Sequence, residues 1–237
     1  MKSKFIYVSI FAVAMAFFES SVVIYLRELM YPEGFDFPLA PISPDLALTE
    51  ILREAATLIM LVMIGVLAAK TIAEGFAWFL YSFAIWDIFY YVFLKLLIGW
   101  PESFLTWDIL FLIPVTWTGP VLTPVLVSLL MILLAIILIF YSTKNVQVKI
   151  KPLEWTGLIG GSLILILSFT WDYSTFILKE YSLSEIFTVP DKTSLYDYAI
   201  GYIPVKFPWS IYFTGIIIIL AVILLMWKRY RKEQLSS

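Results

Sequence analysis

Glu19, Asp87 and Asp172 are the residues from which any chemistry would start, because each stands inside a long apolar run where a carboxylate is costly. Asp87 is the deepest of the three, near the middle of its run. An aspartate at a helix centre costs about 2.5–3.5 kcal/mol on insertion scales. Acids placed this way face a bundle interior and mark an ion or proton path, or they act as polar glue between helices. Helical spacing gathers more polar residues around them. Glu50, Arg53, Glu54 and Thr57 fall at i, i+3, i+4 and i+7, a single stripe. Asp87, Tyr91 and Lys95 share a second stripe with Tyr90 alongside, and Ser168, Asp172, Thr175 and Lys179 form a third. The expected set of ion, proton or polar-cavity residues is therefore Glu19, Glu50, Arg53, Glu54, Asp87, Tyr91, Lys95 and Asp172. For Glu50, Arg53, Lys95 and Lys179 the plainer reading is snorkelling, in which a long side chain carries its charge to the membrane surface. Asp87 and Glu19 are too short and too deep for that.

A second regularity is the dipeptide Trp-Asp, present as Trp86-Asp87, Trp107-Asp108 and Trp171-Asp172. Nine tryptophans and seven aspartates scattered through 237 residues would seldom meet three times. A tryptophan beside each acid would keep water away from it. The plain alternative is that tryptophan marks the membrane interface and aspartate happens to follow.

The elements that must position these groups are long apolar helices. The chain is 62% hydrophobic and 14% charged, with a mean hydropathy of +0.93. Soluble domains run nearer half apolar and a quarter charged, so lipid must cover most of the surface. Runs long enough to cross a bilayer lie at about 5–26, 44–69, 76–98, 119–141, 156–178 and 210–227. They are continuous rather than alternating, which excludes barrel strands. Ser43-Pro44 starts the second as an N-cap followed by proline, and Thr118-Gly119-Pro120 is expected to start the fourth in a similar way. The first run also has the look of a secretory signal peptide, with Ala12-Val13-Ala14 as a small-residue stretch; an uncleaved first span is the alternative.

The expected architecture is an all-α, polytopic transmembrane helix bundle forming one domain over 1–237, with both termini cytoplasmic. Ten basic residues then lie inside (Lys2, Lys4, Lys70, Lys144, Lys149, Lys151, Lys228, Arg229, Arg231 and Lys232) against six outside. That bias is what orients a multi-pass chain. All three polar stripes fall in the outer half, so a polar cavity opening outward is the economical arrangement. Residues 103–113 are apolar but too short to cross, and Pro114 ends them, which predicts a re-entrant or interfacial half-helix. Ser182-x-x-Glu185 and Ser194-x-x-Asp197 could each cap a short interfacial helix. Gly157, Gly160 and Gly161 suit close helix packing; they are not a phosphate loop, since no Lys-Ser/Thr follows.

The absence of histidine and cysteine removes disulfides, thiolate nucleophiles, the usual zinc sites and His-ligated haem. No cofactor is expected, no catalytic residue is assigned, and a metal is left open. Three functions fit. The first is a small cation- or proton-linked transporter or channel-like protein with an outward-facing acidic cavity. The second is a structural or accessory subunit of a membrane complex. The third is a membrane-embedded enzyme acting at the outer leaflet. The expected partners are the lipid bilayer and either a second copy or a membrane-complex subunit, with no nucleic acid.

The stretch WDIFYYVFLKLLIGWPESFLTWDILFLIPVTWTGP, Trp86 to Pro120, resembles a segment of uncharacterised multi-pass membrane proteins of bacteria. It covers about 35 residues. The resemblance implies a bacterial inner membrane and carries no activity with it.

Overall fold

The computed structural model describes residues 2–113, 115–144, 148–182, 184–185 and 192–236. Among these, six helices are long and apolar enough to cross a membrane, and the protein is a multi-pass, all-α membrane bundle. They are α1 (Lys2–Met30), α2 (Pro44–Ala68), α3 (Ile72–Ile98), α4 (Leu122–Ser142), α5 (Pro152–Ile177) and α7 (Trp209–Ser236). A short helix, α6 (Lys192–Ile200), precedes the last, and one two-stranded hairpin, β1 (Trp107–Phe111) with β2 (Trp117–Pro120), lies between α3 and α4.

Local sequence fixes the helix ends. Ser43 Oγ accepts from Leu46 N at 3.2 Å and Pro44 occupies the first turn, so α2 starts at its own cap. Thr71 Oγ1 caps α3 through Glu74 N, while Glu74 reaches back to Lys70 N at 2.7 Å. α3 stops at Gly99, whose φ of 73° is a left-handed conformation that glycine adopts without strain. Ser182 and Glu185 do bond reciprocally, at 2.7 Å and 3.4 Å. Ser194, in contrast, lies within α6 rather than at its start.

α3 is the centre of one packing group, flanked by α1, α2 and α4. α5 and α7 form a second group, joined to the first through α4 against α7 and β2 against α5. Glycine permits the tightest crossings. A Cβ on Gly161 would sit 2.6 Å from Ile219 Cγ1, one on Gly157 would sit 2.5 Å from Val222 Cγ2, and one on Gly65 would meet Gly75 O and Phe79 N at 2.8 Å. Gly160, expected to share this role, faces open space instead. Large side chains such as Ile59, Leu67, Leu163 and Ile217 are exposed on the outer surfaces of the helices, as lipid contact requires.

Residues 103–113 are not a half-helix. Trp107–Phe111 pairs antiparallel with Trp117–Pro120, with Asp108 opposite Gly119 and Ile109 opposite Thr118. Thr118-Gly119-Pro120 therefore belongs to this strand, and α4 begins only at Leu122. Two further bonds, Val121 N to Thr106 O at 3.0 Å and Leu122 N to Phe104 O at 2.8 Å, join the hairpin to the start of α4. The physical reason is twofold. Trp107, Ile109, Phe111, Trp117 and Thr118 are aromatic or β-branched and suit a pleated surface. A short isolated helix would also leave four carbonyls unpaired in apolar surroundings, whereas a hairpin pairs its backbone groups with each other. Pro114 itself lies outside the described residues.

Gly161→Leu should lower the thermal unfolding midpoint of the protein in detergent, since overpacking of this kind costs about 1–3 kcal/mol. Gly160→Ala should leave it within a degree or two of wild type. Equal effects of the two substitutions would contradict the α5–α7 crossing.

Candidate functional site

The polar residues of α1, α2 and α3 meet at the hairpin end of the first packing group. They line a cavity of about 230 Å³ closed by β1 and the segment 31–42. Six of the eight residues expected from sequence line it: Glu19, Glu50, Arg53, Glu54, Asp87 and Tyr91. Arg27, Thr57, Tyr90 and Asp108 join them.

Two guanidiniums organise the walls. Arg53 donates from Nη1 to Glu19 Oε1 of α1 and from Nε and Nη2 to Glu50 Oε2, at 2.9 and 2.7 Å. Thr57 Oγ1 donates to the other oxygen of Glu19 at 3.1 Å. Arg53 thus clamps α1 to α2. Arg27 Nη2 donates to Asp108 Oδ1 at 3.0 Å, and the Tyr91 hydroxyl donates to Asp108 Oδ2 at 3.3 Å. The pair is buried, with side chains 10% and 2% exposed. The Arg27 guanidinium also packs on the Trp100 and Phe35 rings, 3.8 and 4.3 Å from their centroids. Its Nη1 is buried with no hydrogen-bond partner among the described residues. Burial raises the Asp108 carboxyl to about 6, while Arg27, the Ile109 N–H and Tyr91 pull the other way.

Glu54 and Asp87 are held differently. Glu54 Oε2 accepts only the backbone N–H of Leu112 at 2.9 Å, and Asp87 Oδ2 accepts the Ser128 hydroxyl at 2.8 Å. Neither has a cation within ion-pair distance among the described residues. Five carboxylates line the cavity against two guanidiniums, an excess of three acids. Yet no group of three or more acidic side chains is gathered closely enough to hold a metal ion among the described residues.

Asp87 also borders a second, apolar cavity of about 480 Å³ between α3, α4 and α5. The two cavities share Leu58, Trp86, Asp87, Leu110 and Phe111. At its far end the apolar cavity shares Phe76 and Phe79 with a groove of about 1120 Å³ bordered by Lys70, Glu74 and Lys149.

Two expected residues lie elsewhere. Lys95 turns along its own helix and donates to the carbonyls of Gly99 and Pro101 at 2.9 and 2.8 Å, so it caps the end of α3. Asp172 accepts from the Tyr202 hydroxyl at 2.8 Å and from the N–H groups of Val205 and Lys206 at 3.0 and 3.2 Å. It fastens the extended segment before α7 to α5, and burial keeps the Tyr202 phenol protonated far above its ordinary range, fixing it as the donor. An extended segment needs acceptors for its N–H groups, and this carboxylate supplies them. The three acids of the Trp-Asp pairs therefore do three different things. Trp171, beside Asp172, is 43% exposed on the surface of α5.

Arg27 and Asp108 were missing from the expected set. Arg27 reads in sequence as one more basic residue near a helix end, and Asp108 lay within the expected half-helix. The Trp-Asp regularity was the signal that pointed to Asp108.

No family model, curated protein or solved structure matches the chain.

Arg27→Met leaves the Asp108 carboxylate buried without its cation, which should cost about 3–5 kcal/mol. Arg27→Met with Asp108→Asn should recover more than half of that loss in the same unfolding measurement. Additive losses in the double variant would show that the pair does not couple α1 to the hairpin.

Proposed function

We propose that the protein is a transporter-like membrane protein that admits a small cation, or a proton, from the outer side into the acidic cavity. The observation that carries this reading is the pair Glu54 and Asp87: two carboxylates on neighbouring helices, in one cavity, with only neutral hydrogen-bond donors. Uncompensated acids in an apolar bundle are where a cation or a proton is most strongly favoured. The scattered placement of the acids supports a monovalent or organic cation over a coordinated divalent metal.

The side of entry follows from charge. Lys70, Lys149, Arg229 and the other basic residues of the inner set sit at the end opposite the hairpin, so the termini are cytoplasmic and the cavity faces out. The resemblance of Trp86 to Pro120 supports a bacterial inner membrane, with this face toward the periplasm. Asp87 lines both the acidic and the apolar cavity, and the latter shares Phe76 and Phe79 with the groove at the basic end. That succession supports a route rather than a blind site. A subunit held to a partner by its acids is less favoured, since Glu19, Glu50 and Asp108 already pair with arginines of this same chain.

Radiolabelled methylammonium provides the test. Proteoliposomes holding the wild-type protein should take it up saturably. Glu54→Gln and Asp87→Asn should each reduce uptake at least tenfold while circular dichroism and elution volume stay unchanged. Absence of uptake by the wild type, or uptake indifferent to both substitutions, would remove the proposal.

A further inference from the structure

The groove at the basic end of the bundle differs in build from both cavities. Along the helices its lining is apolar, with Val62 and Val66 on α2 and Phe76 and Phe79 on α3. At the helix ends it is polar, with Lys70, Thr71, Glu74 and Lys149. Its two sides touch through Phe76 and Trp155, whose ring centroids lie 5.0 Å apart. Its volume of about 1120 Å³ exceeds the about 300–1,000 Å³ of ordinary small-molecule sites.

The groove is open at the surface that faces lipid. Val62 and Val66 are 39% and 56% exposed, and at helical spacing they continue the stripe of exposed Ile59 on the outer face of α2. On the other side Trp155 stands one turn from Ile159, which is exposed on α5. Lys70, Thr71 and Lys149 are exposed as well.

Charge decides what fits there. Both lysines are held at the backbone. Glu74 Oε2 accepts the Lys70 N–H at 2.7 Å, and the Arg229 guanidinium and Tyr230 hydroxyl each donate to the Lys149 carbonyl at 2.9 Å. Their ammonium groups, in contrast, have no carboxylate within ion-pair distance among the described residues. Two neighbouring cations are already spent: Lys4 donates to Ala68 O at 2.7 Å, and Arg229 pairs with Glu154 and Glu233. Thr71 Oγ1 accepts from Glu74 N, which leaves its own hydrogen to donate. The single acid of the lining, Glu74, is committed to the turn, so the lining carries an excess of positive charge.

We infer that this groove holds an anionic phospholipid. An acyl chain lies along Val62, Val66, Phe76 and Phe79, and the phosphate is met by Lys70, Lys149 and the Thr71 hydroxyl. A chain that leaves lipid for an apolar groove gains no hydrophobic free energy, so the lysines must supply the selectivity. A zwitterionic headgroup offers them no net charge, whereas basic pockets between helices at a membrane surface capture anionic ones. The site shares no lining residue with the acidic cavity.

The chain contains no cysteine. Val66→Cys and, as a reference on the exposed surface of α5, Leu163→Cys can therefore each carry a single bimane label. The full-length protein is reconstituted in mixed vesicles of phosphatidylglycerol and phosphatidylcholine, with one or the other brominated on its acyl chains. Quenching at position 66 should show phosphatidylglycerol favoured at least fivefold, since each lysine near an anionic lipid is worth about that factor. Quenching at position 163 should show no preference. Lys70→Gln with Lys149→Gln should abolish the preference at position 66. Lys228→Gln with Lys232→Gln removes the same charge from the end of α7, outside the groove, and should leave it unchanged. No preference at position 66, the same preference at both positions, or the same loss from both lysine pairs would each overturn the inference. A label at position 66 that neither lipid quenches would overturn it too, by showing that another chain covers the groove.

Discussion

The arrangement of the hairpin end of this bundle depends on two arginines held in a largely apolar setting. A guanidinium there cannot shed its proton, so the chain must bring carboxylates to it. Arg53 reaches Glu19 on a different helix, and Arg27 reaches Asp108 on the hairpin, across 81 residues of sequence. Each pair joins segments that would otherwise be free to slide. Ion pairs between buried groups rarely add much net stability over well-packed apolar residues, because desolvation offsets the attraction. Their value lies in register. Once α1 is fixed to α2 and to β1, the heights of Glu54 and Asp87 are fixed as well.

The hairpin follows from the same constraint. Non-helical backbone inside a bundle survives only where its polar groups are satisfied by protein. β1 and β2 satisfy each other, Leu112 N uses Glu54, and Asp108 uses Arg27 and Tyr91. Backbone satisfaction and the acidic site are thus one network. The carboxylate of Glu54 thus both lines the cavity and holds the end of β1.

Much of this was legible in the sequence, and the part that was not has a physical cause. Helix positions follow from apolar length and from caps such as Ser43-Pro44, both local signals. The stripe from Glu50 to Thr57 and the pairing of Asp87 with Tyr91 on one face are also local, and six of the eight expected residues do line one cavity. Spacing along a helix shows which residues share a face but not which neighbour that face meets. Asp172 lies on a face as polar as the others, yet α5 belongs to the second packing group and its carboxylate meets the segment before α7. Lys95 shares the face of Asp87 but stands so near the helix end that open carbonyls were closer than any carboxylate. The half-helix expectation failed because apolar content alone cannot separate a short helix from a short strand; here the aromatic and β-branched composition decided.

The division of labour among the five acids shows why only some can act on a ligand. Glu19, Glu50 and Asp108 are committed: the first two share the Arg53 guanidinium and the third holds Arg27. Glu54 and Asp87 hold one neutral donor each, so a change in their protonation or partner leaves no other charge stranded. Asp87 is further distinguished by position. It alone among the acids borders both the acidic and the apolar cavity, beside an indole whose N–H is unspent. Its bond to Ser128 joins α3 to α4 at that boundary. α4 contacts α3 on one side and α7 on the other, so the Asp87–Ser128 bond ties the cavity wall to the helix that joins the two packing groups.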